Sequence, residues 1–303
     1  MKKIGSSVLG GLLLLIVLFF TGCLSEGDKA VRYTPSTSVT PANSEWIVGI
    51  HPYLNSQKTF LAYEPILRYW EHQTGLRLRL ETSLDYADYE RKLYGGHFDL
   101  SLPNPYQTLK SLEYGYRIVA KVKPDSEFRG VIVARKDRYI RSVEQLRGEV
   151  ISFPAPTALA ATLMPKWFLF EHGLNVDKES FPRYVGSQYS SIMNAYTKDA
   201  VAAATWPAPW KRWQLENPQK AKEMELVWET APLVNNGVVV RSDLNATLVE
   251  KLTVVLGTMD RDPTAKKLLL PTGFAGFEKA DTARYEPVRK FLIRYDRAIG
   301  LPK

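Results

Sequence analysis

The sequence predicts an α/β fold made of two successive units in which strands and helices alternate. Three observations carry this. Short apolar runs stopped by Pro, Gly or charge recur, as at Trp46–Ile50, Phe98–Leu102 and Val131–Ala134. Helix-period stretches stand between such runs, at 59–74, 86–94 and 157–172. The composition, 45% hydrophobic and 24% charged, is that of a packed globular chain. Strands alternating with helices imply parallel sheet with helices on its faces.

The N-terminus reads as an address. Lys2 and Lys3 precede an apolar run from Val8 to Phe20, broken only by Gly10 and Gly11, and small residues Thr21 and Gly22 follow. A secretory signal has this order. The run is short for a membrane span, which takes about 20 residues. Cys23, the sole cysteine, resembles the lipobox position of a bacterial lipoprotein, where the cysteine is diacylated and becomes the new N-terminus; Phe20 departs from the Leu usual three residues before it. Residues 1–22 are thus expected to be a lipoprotein signal peptide. Residues 23–44, rich in Ser, Thr, Pro and charge, form a tether. Two or three acyl chains would hold the protein on the membrane, each buried CH₂ contributing about 0.8 kcal/mol.

In the first unit, Trp46–Ile50 is a buried strand stopped by Pro52. The segment 59–74 is a helix placing Leu61, Ile66, Leu67 and Trp70 on one face, closed by Gly75. Leu76–Leu80 alternates as a half-buried strand, 86–94 is a helix ended by Gly95 and Gly96, and Phe98–Leu102 is a strand stopped by Pro103-Asn104-Pro105. Ligands sit beyond the C-terminal strand ends of such sheets. That points to the loops His51–Asn55, Ser83–Asp85 and Pro103–Tyr106, and so to Tyr53, Tyr86, Asn104 and Tyr106.

The second unit has strands at Gly130–Ala134 and Glu149–Phe153, a helix from Thr157 to His172, a strand at Tyr184-Val185, a helix at Ser190–Tyr196 and a small-residue strand at Ala200–Ala204. Val131–Ala134 and Val238–Arg241 look alike, which suggests a pair of crossings between two domains. From Ala246 onward the chain reads as largely helical. Ala204-Thr205-Trp206-Pro207-Ala208-Pro209-Trp210, with two prolines between tryptophans, reads as a rigid loop at a cleft mouth.

Net charge is +8, with basic and acidic residues interleaved and no long basic run, which argues against nucleic-acid binding. One cysteine excludes an internal disulfide. The four histidines, His51, His72, His97 and His172, lack metal-site spacing and read as surface or cleft-edge residues. No metal or other cofactor is expected.

The order and spacing of several segments resemble the phosphate/phosphite/phosphonate-type solute-binding proteins of bacterial ABC importers. The segments are Gly49-Ile50-His51-Pro52-Tyr53, Asp85-Tyr86-Ala87, Phe98-Asp99-Leu100 with Pro105, Val131 to Asp137, Ser142 to Gly148, Val238 to Asp243, and Tyr285-Glu286-Pro287-Val288-Arg289. The likeness runs from Trp46 to Arg297. It implies a two-lobed periplasmic-binding-protein fold of type II, each lobe a sheet flanked by helices, joined by two crossing strands. Lobe 1 would be 45–135 with 237–303, and lobe 2 would be 136–236. A ligand would lie between the lobes and close them by a hinge motion. Importer permease subunits would be the partners of a monomeric, extracytoplasmic, membrane-anchored lipoprotein.

This sequence departs from the family where the ligand sits. The family grips phosphonate oxygens at a helix N-terminus with a Ser/Thr-rich run, where free N–H groups and the helix dipole favour an anion. Here the stretch is Pro156-Thr157-Ala158-Leu159-Ala160-Ala161, with one hydroxyl. The family's histidine falls at Gln188, its tyrosine before the crossing strand at Phe128, and its amine-binding acids near Trp206 and at Asn236, while Tyr86 is kept. The expected cleft is therefore aromatic and weakly charged, with Tyr53, Tyr86, Tyr106, Phe128 and Trp206 as walls and Arg129 as the one candidate charge. A sensor subunit for a membrane receptor, or an enzyme on the same fold, are the rival readings. No nucleophile–base pair is visible.

Overall fold

The computed structural model describes residues 45–302, so the signal peptide, the tether and Cys23 lie outside the described residues. Its strands are β1 (Glu45–Ile50), β2 (Arg77–Glu81), β3 (Leu100–Leu102), β4 (Tyr116–Lys123), β5 (Val131–Arg135), β6 (Val150–Phe153), β7 (Phe181–Tyr184), β8 (Ala202–Thr205), β9 (Met224–Glu229), β10 (Gly237–Arg241) and β11 (Gly276–Lys279). They form two sheets, ordered β11-β4-β10-β3-β1-β2 and β7-β6-β8-β5-β9. In the first, β1 pairs in parallel with β2 and β3. There β10 runs antiparallel to β3 and β4, and β11 antiparallel to β4 at the edge. In the second, β6 runs parallel to β7 and β8, and β5 is antiparallel to β8 and β9.

The helices cover both sheets: α1 (Ser56–Thr74), α2 (Tyr86–Tyr94), α3 (Pro105–Ser111), α4 (Met164–Glu171), α5 (Val176–Glu179), α6 (Gln188–Tyr196), α7 (Pro207–Glu216), α8 (Pro218–Ala221), α9 (Ala246–Thr258), α10 (Pro263–Leu269) and α11 (Glu286–Ala298). Their ends follow local chemistry. Asn55 caps α1 by accepting from the Lys58 N–H at 2.8 Å, and Gly75, at φ +77°, closes it in the left-handed conformation that glycine adopts without steric cost. The buried stripe of α1 is Ala62, Tyr63, Ile66, Leu67 and Trp70; Leu61, counted above as part of that face, is 69% exposed.

Several expectations are corrected. Val131–Ala134 is no crossing strand of lobe 1: β5 lies wholly in the second sheet and β10 wholly in the first. The chain passes between sheets in 124–130 and 230–236, neither of which contains a strand. Similar apolar runs followed by charge marked two antiparallel sheet members, not two connections. The Trp206–Trp210 segment is not a loop. Pro207 opens α7 and Pro209 sits in its first turn, where a missing N–H costs no intrahelical bond. The predicted helix from Thr157 starts instead as a π-turn, Leu159–Leu163, that runs on into α4. The tail from Ala246 is helical but for β11.

The lobes pack directly on each other. One hydrophobic cluster runs from Val48, Tyr63 and Trp70 of the first sheet layer through Phe128 to Leu159–Met164 and Trp206 of the second lobe. Gly130 shows how tight the junction is. A Cβ there would stand 2.6 Å from the Ala160 carbonyl oxygen and 2.8 Å from the Pro165 ring. Gly130 also pairs the two connections, its N–H donating to Thr230 Oγ1 and its carbonyl accepting from the Thr230 N–H, both at 2.9 Å. Gly130→Ala is expected to cost about 1–3 kcal/mol through overpacking, read as a fall of several degrees in thermal midpoint. An unchanged midpoint would show that the π-turn yields freely at this contact.

Candidate functional site

Where the two lobes meet, strand ends and helix starts converge on a small cavity. It is lined by Tyr86, Asn104, Phe128, Ala158, Leu159, Gln188, Trp206 and Asn236 of the residues expected from sequence, together with His51, Ala160 and Ala161. Its volume, about 10 Å³, is room for about one water molecule. The lobes are therefore closed.

Each polar member is placed by a local rule. Tyr86 and Gln188 are first residues of α2 and α6, whose N-caps Asp85 and Ser187 accept from N–H groups three residues on. Gln188 Nε2 donates to Tyr86 Oη across the lobes at 3.4 Å, and Gln188 Oε1 accepts from Thr205 Oγ1 at 2.8 Å. Asn104 caps α3 with Oδ1 and donates from Nδ2 to the Thr157 carbonyl at 3.1 Å, a second cross-lobe bond. Thr157 Oγ1 and Gln107 Nε2 both donate to Glu90 Oε1, and burial raises the Glu90 carboxyl above its ordinary range.

His51 departs from expectation. Read from sequence as surface or cleft-edge, it is 3% exposed and stacks on Tyr53 at 5.1 Å. Nδ1 stands 2.9 Å from the Leu102 carbonyl oxygen, so the ring donates there. Burial lowers its pKa to about 4, which leaves it neutral with Nε2 as an acceptor. Desolvation likewise pushes the Tyr86 phenol up and keeps it neutral. His51 follows β1 directly, in the first of the loops singled out above; the loop was legible, but nothing in a lone His distinguished a buried acceptor from a surface residue.

Four expected residues stand off the cavity. Tyr53 bonds Tyr63 Oη at 2.9 Å and the Thr272 carbonyl at 3.1 Å, and backs the wall through its ring, 5.7 Å from Trp206. Tyr106 is half-buried in α3 near Glu90. Thr157 turns its hydroxyl to Glu90. Arg129, the one candidate charge, pairs with Glu229 at 3.3 Å and donates to the Ser126 carbonyl at 2.8 Å. Among the described residues lining the cavity, none is Lys or Arg.

Two larger crevices, of about 400 and 430 Å³, are lined by Tyr53 and residues of α7. Charged residues lining them form ion pairs, Lys58–Glu216 at 2.7 Å and Lys211–Glu127 at 2.9 Å. The small cavity holds Asn236, the one residue among those described whose side-chain donor and acceptor are both buried and unmet. Asn236, 1% exposed, has no partner for Oδ1 or Nδ2 among the described residues. Among the described residues, none accepts from the N–H groups of Leu159, Ala160 and Ala161.

Comparison with known proteins bears on this geometry. The profile of a family described as "ABC transporter, phosphonate, periplasmic substrate-binding protein" matches residues 48–285. The chain is 23% identical to the probable ABC transporter phosphite binding protein PhnD1 of Prochlorococcus marinus (strain MIT 9301), over 75% of this chain and 76% of that one. It is 20% identical to the phosphonates-binding periplasmic protein of Escherichia coli (strain K12), over 86% and 81%. The solved structure of PhnD1 in complex with methylphosphonate superposes with a TM-score of 0.76 at 19% identity, covering 84% of this chain and 98% of that one.

Proposed function

The chain belongs to the phosphonate periplasmic substrate-binding family of ABC transporters, and from that premise we propose that it holds a small ligand between its lobes in a pocket altered away from dense negative charge and delivers it to a membrane importer. The ligand-binding residues are those lining the interlobe cavity. The observation that carries this is the cavity's charge inventory: His51 and Tyr86 are held neutral, and no Lys or Arg lines it among the described residues. The same inventory supports a carrier over an enzyme, since neither titratable group is poised near neutrality to move a proton.

Ala158, Ala160 and Ala161 supply no hydroxyl donors, and each bond to a charged group is worth about 1.5–3 kcal/mol. Methylphosphonate and phosphate are therefore expected to bind no tighter than the millimolar range in calorimetry. Micromolar affinity for either would mean that the free N–H groups of Leu159 to Ala161 suffice alone, and would overturn the altered-pocket reading.

The body is held at the membrane through Cys23, reading 1–22 as signal and 23–44 as tether. Cys23→Ala is expected to move the protein from the membrane fraction to the soluble one and to abolish labelling by a palmitate analogue. Labelling that survives the substitution, or a wild type that takes none, rules the anchor out.

A further inference from the structure

Asn236 is an unusual group to leave unmet. Its backbone is fully used, the N–H donating to Asn235 Oδ1 and the carbonyl accepting from the Val122 N–H, each at 2.8 Å. Its side chain is buried in the cavity wall with neither Oδ1 nor Nδ2 partnered. Exchanging the two amide atoms leaves the same pattern, so the assignment of oxygen and nitrogen does not matter. Buried polar groups are almost always bonded, and those that are not mark a missing partner.

The partner's chemistry follows from which atoms are unmet. An amide side chain offers one acceptor and one donor side by side. A deprotonated oxyanion satisfies Nδ2 but sets negative oxygen against Oδ1. An ammonium does the reverse. A neutral amide edge satisfies both at once, with its N–H to Oδ1 and its C=O to Nδ2. His51 Nε2 adds a second acceptor, because Nδ1 is committed to Leu102. The N–H groups at Leu159 to Ala161 are donors for a second carbonyl. Phe128 and Trp206, with ring centroids 6.0 Å apart, provide flat apolar walls. Glu90, behind Thr157, adds an acid rather than a base to the surroundings.

Resting on the reading that the cleft is the ligand site, we infer that its ligand is an uncharged planar lactam or ureide whose adjacent N–H and C=O pair with Asn236. A six-membered ring exceeds the present cavity, so it binds with the lobes farther apart than here, turning on 124–130 and 230–236.

Uracil, 1,3-dimethyluracil and methylphosphonate serve as probes in calorimetry against the wild type, Asn236→Leu and Tyr86→Ala. Uracil is expected to bind, with the dimethylated ring and the Asn236→Leu protein each weaker by about 10- to 100-fold, the loss of one or two hydrogen bonds. Asn236 makes no side-chain bond in the protein, so its loss leaves the fold standing; should the variant unfold, the two uracils on wild type still decide. Equal affinity for both uracils, or binding of neither, overturns the lactam assignment. Tight methylphosphonate binding that Tyr86→Ala weakens overturns it while keeping the cleft as the site. Tight binding of any probe that neither substitution alters defeats the cleft reading itself.

Discussion

Replacing Trp206 by Ala is expected to open the lobes and weaken ligand binding together, without unfolding either lobe. Trp206 stands between β8 and α7 and is 4% exposed. Its ring is 5.7 Å from that of Tyr53 in the first lobe and 6.0 Å from that of Phe128 in the 124–130 connection. Truncating a core tryptophan costs about 3–5 kcal/mol. Here much of that burial lies between the lobes, so the loss falls on closure. The backbone carbonyl still accepts from the Trp210 N–H at 3.1 Å, which keeps the start of α7. Closed and open forms differ by a few kcal/mol in such proteins, so a loss of this size shifts the population decisively. Small-angle scattering of the free variant should show a larger radius of gyration than wild type, and saturation should need far more ligand. Tyr86→Ala should do the same more weakly, because its cross-lobe bond to Gln188 is long, at 3.4 Å. A Trp206→Ala protein with wild-type scattering and wild-type affinity would show that this ring only fills space.

Most of the first sheet was legible because its signals are local. Val48 and Ile50 in a short apolar run, Leu78 and Leu80 in strict alternation, and the Asn55 and Gly75 ends of α1 each announce themselves within a few residues. What was missed depends on partners far along the chain. β4 (Tyr116–Lys123) carries Arg117, Lys121 and Lys123 and gives no clean alternation; it is a strand because β10 and β11 flank it. Lysine is a residue type almost never fully buried unless paired, and Lys121 is 1% exposed and paired with Asp125 and Glu278. β9, with Met224, Glu225 and Glu229, is an edge strand made by pairing with β5. The candidate site divides the same way. Tyr86, Gln188 and Asn236 were placed by likeness to a family and are brought together by helix starts and a lobe connection. Arg129 stands off the cavity and pairs with Glu229, a hundred residues on, a partner no local pattern announces.

The connections themselves turn on one carboxylate, and Asp125→Ala is expected to be among the most damaging substitutions outside the cavity. Asp125 Oδ1 accepts from Lys121 Nζ at 2.7 Å and from the Asn235 N–H at 2.9 Å, while Oδ2 pairs with Arg284 at 2.7 Å. It thereby ties β4, both connections and the turn before α11 at a single point. Asn235 returns the link by donating from Nδ2 to the Pro124 carbonyl at 3.0 Å, and the Asn235 carbonyl accepts from Tyr285 Oη at 2.7 Å. Removing the carboxylate strands the Asn235 N–H and leaves Lys121 with Glu278, at 2.6 Å, and the Val122 carbonyl, at 3.3 Å. A buried pair that loses one partner entirely costs about 3–5 kcal/mol. With Glu278 still present, and one buried N–H unmet at about 1–3 kcal/mol, the expected loss is about 2–4 kcal/mol. Asp125→Asn restores an acceptor for the Asn235 N–H but not the charge, and should fall between wild type and Asp125→Ala in urea denaturation. Because the lost bonds join the two connections, the Ala variant should also scatter as a broader ensemble of lobe angles. If Asp125→Ala is as stable and as compact as wild type, the Gly130–Thr230 pairing and the Asn235–Pro124 bond hold the connections alone. Lys121 would then need only Glu278 and the Val122 carbonyl.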